Sequence, residues 1–113
     1  MKIIEEKITL AELKSIAAQT FGDFVKAVVD IDRGLLALDA GLHSDLEALL
    51  LEKGSRQENL WGINLYPEAR GEEFLEFDSM INMRPARGNR SRGVEDESIR
   101  RKISAVVHKR IQR

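Results

Sequence analysis

The segment Phe24-Val25-Lys26-Ala27-Val28-Val29-Asp30-Ile31 constrains the fold more than any other part of the chain. It is rich in β-branched residues, long enough for a strand, and it alternates. Val25, Ala27, Val29 and Ile31 fall on one face, with Lys26 and Asp30 on the other. Asp32-Arg33-Gly34 follows as a turn signal, and Leu35-Leu36-Ala37-Leu38 completes a hairpin.

A second hairpin is predicted further on. Trp61, Ile63 and Leu65 alternate with Gly62, Asn64 and Tyr66; residues 67–71 make the connection, and a return strand runs from about Phe74 to Met83. In that strand Leu75, Phe77, Ile81 and Met83 share one face. Three helices punctuate the strands. Thr9-Leu10-Ala11-Glu12 is a capping box opening a helix over roughly 10–20, and Ser44-Asp45-Leu46-Glu47 is a second, with Gly54 as its stop. Asp96 caps a last helix whose stripe is Ile99, Ile103, Val106 and Ile111. The order α-β-β-α-β-β-α predicts an α+β fold: an antiparallel four-stranded sheet with helices packed mainly on one face.

At 113 residues there is room for one core, so residues 1–113 are read as a single domain. No apolar run approaches a bilayer span, and the acidic start Glu5-Glu6 is unlike a signal peptide, which points to a cytoplasmic protein without membrane contact. With no cysteine and no histidine–carboxylate spacing suited to metal, neither a metal nor a cofactor is expected.

Charge is distributed unevenly. Residues 1–83 hold 8 Lys/Arg against 16 Asp/Glu, and residues 84–113 hold 10 against 3. The basic end opens with Arg84-Pro85-Ala86-Arg87-Gly88-Asn89-Arg90-Ser91-Arg92-Gly93, an aperiodic loop with four guanidinium groups. Guanidinium presents paired donors that fit phosphate or carboxylate, and the glycines let the backbone turn its own N–H groups toward an anion. Arg84, Arg87, Asn89, Arg90 and Arg92 are therefore the candidate anion-binding residues. The alternative is a clasp, in which the arginines pair with Glu95, Asp96 and Glu97. Those acids also oppose an anion at the start of the last helix.

If the second hairpin turns at 69–71, Asn64 sits opposite Glu76 and Gly62 opposite Asp78. Asn64, Asp78 and Asn82 then form a polar strip on one sheet face that leads into Arg84. His43, just before a helix start, and Asp78 are the candidates for general-base chemistry. Trp61 is read as core, and Tyr66 as a polar-face ring able to stack.

The phrases Leu60-Trp61-Gly62-Ile63-Asn64-Leu65-Tyr66-Pro67, Phe77-Asp78-Ser79-Met80-Ile81-Asn82, Arg84-Pro85 and Gly88-Asn89-Arg90-Ser91-Arg92-Gly93-Val94-Glu95-Asp96 resemble a family of short prokaryotic proteins built on a domain of unknown function. The resemblance also takes in Val28-Val29-Asp30-Ile31 and Leu42-His43, and so nearly the whole chain. It implies a stand-alone domain and transfers no activity.

The leading expectation is a small binding protein for a phosphate-bearing ligand or RNA through loop 84–93. A small nuclease-like hydrolase using His43 and Asp78 with arginine assistance is the alternative. A third is a non-catalytic interaction domain, docking on partners or as a homo-oligomer.

Overall fold

The structure is a computed structural model and describes residues 1–113. In chain order it contains β1 (Lys2–Ile4), β2 (Ile8–Thr9), α1 (Leu10–Gln19), β3 (Val25–Asp30), β4 (Leu35–Leu38), α2 (His43–Glu52), β5 (Leu60–Leu65), β6 (Leu75–Glu76), α3 (Glu97–Arg110) and β7 (Ile111–Gln112). The fold is α+β. Strands β1-β4-β3-β5-β6, in that order, form one antiparallel sheet, while β2 and β7 pair in parallel and tie the two ends of the chain together.

The sheet has five strands where four are expected, because β1 adds antiparallel to β4. Three residues with no alternation carry too little sequence signal to be read as a strand. The register of the second hairpin is the expected one at Asn64↔Glu76. The return strand stops at Glu76, however, and the rest of the expected Phe74–Met83 strand is a bend followed by a 3₁₀ turn at Met80–Asn82. The Ser79 hydroxyl starts that turn by accepting from Ile81 N. Ile81 therefore packs on the opposite side of the sheet from Leu75 and Phe77.

Both faces of the sheet are covered. Val25, Ala27, Val29, Leu36, Leu38, Trp61, Ile63 and Leu65 meet Leu13, Ile16 and Ala17 of α1 and Ile103, Val106 and Val107 of α3 in the main core. On the other face Val28, Leu35, Ala37 and Leu60 meet Leu46 and Leu50 of α2. Each of those two leucines is fully buried, which contributes about 2 kcal/mol apiece. Two helices thus share one face as expected, and α2 covers the other. The uninterrupted run Leu35-Leu36-Ala37-Leu38 is apolar on both sides because β4 is buried on both. No helix is long and apolar enough to cross a membrane.

The helix caps divide in the same way. Thr9 and Glu12 form the expected capping box, and Asp96 accepts from Ser98 N and Ile99 N at the start of α3. The box at Ser44 does not form: α2 begins two residues earlier, with Leu42 as an N-cap that makes no side-chain bond. The imidazole of His43 is drawn inward to the Ile63 carbonyl instead, at 2.7 Å.

Candidate functional site

Strand β6 reaches only far enough to pair with Asn64 and Leu65, so the first half of β5 has no strand on its outer side. Side chains do that bonding. The Asn82 amide donates to Gly62 O at 2.9 Å and accepts from Gly62 N at 2.8 Å, copying a backbone ladder. The same Nδ2 donates to Arg92 O, 2.9 Å away. Beyond it, the Arg84 guanidinium donates to Leu60 O and Ile81 O and lies over the Trp61 ring, 4.5 Å from its centroid. Arg84 is half-buried, and that burial lowers its pKa. The charge of Glu47 opposes the shift and that of Arg87 adds to it.

The loop is ordered from within. Arg84 and Asn89 exchange backbone bonds of 2.7 and 3.2 Å around a 3₁₀ turn at Pro85–Arg87, and Gly88 takes the left-handed φ of 85° that closes it. Asn89 is buried, its Nδ2 donating to Asn82 O, Ser91 O and Gly93 O, and its Oδ1 accepting from Glu95 N. The next N–H groups, of Arg90 and Ser91, both donate to the Glu95 carboxylate. This is an anion nest whose anion belongs to the chain itself.

Those two donors hold the Glu95 carboxyl below the usual carboxylate range. A depressed pKa stabilises the folded loop above the ordinary glutamate value of about 4.3, and the contribution is lost as pH falls through the lower folded value. The Arg90 and Ser91 amide proton shifts are therefore expected to stay constant from pH 7 to about 5 and to move only below about 4.3. Glu95→Gln should abolish that transition. An NMR midpoint at or above the ordinary value would contradict the nest.

The four guanidinium groups of the loop do not converge on one point. Arg92 is paired with Asp78 at 2.7 Å, and Arg87 with Glu58 at 3.2 Å. Arg90 is exposed and has no acidic partner within ion-pair distance, and Arg84 turns into the fold. Three of the candidate residues nevertheless line one cleft. Arg84, Arg87 and Asn89 border a space of about 540 Å³ with Trp61, Gly88 and Ile99, and Glu58, Glu95 and Asp96 complete the wall. Within this wall the Trp61 indole N–H and the Arg84 Nη1 are buried donors with no acceptor. Trp61 belongs to the core, as its place on the Ile63 face predicts, and is 5% exposed. Its contact with Arg84 spans residues too far apart in the chain for any local spacing to reveal it.

The polar sheet face lies elsewhere. Lys26, Asn64 and Glu76 stand in one row across β3, β5 and β6. The Asn64 amide donates to Glu76, and so does the Tyr66 hydroxyl. His43 is buried beside Asn64. Desolvation lowers its pKa, the Ile63 carbonyl opposes that, Lys26 lowers it further, and Asp78 raises it. Burial favours the neutral imidazole, and because a carbonyl only accepts, its Nε2 carries the proton. His43 and Asp78 thus share this face with Arg92, and neither lines the 540 Å³ cleft.

No curated protein and no solved structure matches the chain. A family profile does, over residues 2–110, and its description is "Protein of unknown function (DUF5674)". The match takes in every helix and all five strands of the main sheet, and the chain belongs to that family.

Proposed function

We propose that the chain binds a phosphate-bearing ligand in the cleft between loop 84–89, Trp61 and the start of α3. The reading is carried by the two unpartnered donors, Trp61 Nε1 and Arg84 Nη1, on residues that line it. A buried donor without an acceptor costs about 1–3 kcal/mol, and a ligand oxygen that reaches it recovers that cost. Both missing partners are acceptors, which is what an oxyanion supplies.

The three carboxylates in the wall oppose an anion, but none of them takes up the two free donors. Glu95 accepts from Arg90 N and Ser91 N and Asp96 from Ser98 N and Ile99 N, while Glu58, 41% exposed, is left to water when Arg87 turns to the ligand. Arg87 is the cation at the rim, exposed and free to exchange an exposed ion pair for a ligand phosphate. Binding is favoured over hydrolysis because His43, the one candidate base with a defined tautomer, stands outside the cleft.

Trp61 is the only tryptophan, so its fluorescence reports on the cleft directly. Titration with inorganic phosphate and with a mononucleotide is expected to give a saturable change. Arg87→Ala should weaken binding by about tenfold, the value of one charge-assisted bond. It should barely move the melting temperature, since only an exposed pair is lost. Arg90→Ala should change affinity by less than about twofold, because Arg90 does not line the cleft and its exposed charge is screened. Equal effects from the two substitutions, or no saturable signal, would remove the proposal.

A further inference from the structure

Strand β6 is one edge of the main sheet, and no strand lies beyond it. Tyr66 N donates to Phe74 O at 2.9 Å, and Glu76 stands opposite Asn64. The antiparallel alternation therefore turns the N–H and C=O of Leu75, between those two positions, away from β5. They are a donor and an acceptor open to a further strand. The other edge, β1, carries Lys2, a residue type that discourages such pairing, and the segment Leu75–Phe77 has no lysine.

The same edge is one bank of a groove of about 620 Å³ whose other bank is α3. Its floor is apolar. Phe74 is buried there, and Leu75 and Phe77, which pack against the main core, are left half-buried. An open strand edge beside such a groove is the geometry to which an extended segment adds.

The charges along the groove indicate whose segment it is. Gly93 lies against Phe77 O, so α3 starts at the Phe77 end. Gly71 and His108 border both this groove and the next cleft along, which puts them together at the opposite end. Glu72 thus stands at one end and Arg101 nearer the other. Arg101 is exposed and makes no ion pair, whereas Arg100 already donates to Val94 O and Glu95 O. With Glu97, the lining holds two glutamates against two arginines, so neither a polyanion nor an acidic tail is favoured. A second copy is, because a two-fold axis through Leu75 brings the Glu72 end of each chain to the Arg101 end of the other.

We propose that two copies of the chain associate edge to edge through β6. Leu75 of each copy exchanges both backbone bonds with Leu75 of the other, which joins the two five-stranded sheets. Leu75 and Phe77 of both copies close the open end of each core, and Glu72 pairs with Arg101 across the axis.

Sedimentation velocity over a concentration series is expected to show a reversible dimer of the wild-type chain below about 1 mM. Leu75→Asp sets an unpaired carboxylate beside its own copy and should weaken association at least about a hundredfold. Glu72→Arg and Arg101→Glu change exposed side chains only. Each should weaken association by about tenfold, because every pair occurs twice in a two-fold interface, and the double variant should return to within about twofold of wild type. A chain that stays monomeric to about 1 mM overturns the proposal and gives the groove to a segment of another protein. A dimer that survives Leu75→Asp, or charge variants whose losses add rather than cancel, puts the contact on another face and overturns it equally. Should Leu75→Asp not fold, the charge swap decides alone.

Discussion

Asn82→Ala is expected to destabilise the chain by about 4 kcal/mol and to lower its melting temperature by about 15 °C, the largest loss from any single polar side chain. Asn82 is fully buried, and its amide makes three bonds, to Gly62 N, Gly62 O and Arg92 O. Truncation leaves Gly62 N and Gly62 O without a partner, at about 1–3 kcal/mol each before the structure relaxes, while Arg92 O keeps its bond from Ser79 N. Asn82→Asp tests the direction of the bonds. A carboxylate can still accept from Gly62 N, but it cannot donate to either carbonyl, so at pH 7 aspartate should be at least as damaging as alanine. Urea unfolding with an unchanged m-value measures both. A loss below about 1 kcal/mol in either variant would mean that water replaces the amide and that the open side of β5 is not held this way.

That substitution also marks where local sequence ceases to inform. The β3–β4 hairpin was legible because its alternation and its turn lie within one short segment, and the Asn64↔Glu76 register followed from the position of the connection alone. Thr9 and Asp96 were legible as caps because a cap acts on its own first turn. Ser44 carries the same signature and fails, because the adjoining His43 gains a buried bond to a carbonyl 20 positions away. The strand expected over 74–83 fails for the same kind of reason. Asn82 serves Gly62 better as a side-chain ladder from a 3₁₀ turn than as one more residue of a strand.

The candidate site was legible in part. The loop stood out by composition, and Arg84, Arg87 and Asn89 do border one cleft. Composition could not say which arginine turns inward, because that depends on Leu60 O, 24 positions earlier, being left open by a short neighbouring strand. Nor could it single out Asn89 as the residue that organises the loop, or Glu95 as the anion filling its nest. Both roles are set by closure of the 84–89 turn.

Gly62→Ala is the second large effect, expected to cost about 3 kcal/mol through space rather than backbone conformation. A Cβ at this position would lie 2.5 Å from both Ser79 Cβ and Ser79 Oγ and 3.1 Å from Ile81 Cγ1. Ser79 cannot easily retreat. It is buried, its N–H is tied to Arg92 O at 2.9 Å, its carbonyl accepts from Asn82 N, and its hydroxyl accepts from Ile81 N. The added methyl must therefore push β5 away from the 79–82 turn, which stretches the Asn82 bonds to Gly62. The decisive variant is the pair Gly62→Ala with Ser79→Gly. Ser79→Gly alone should cost about 1 kcal/mol, from a lost cap and a looser unfolded chain. If the clash is the cause, the double variant should be more stable than the sum of the two single losses predicts, by about 1–2 kcal/mol. Strict additivity would show that Gly62 is needed for some property other than room for Ser79, and the side-chain ladder between β5 and the turn would then need another explanation.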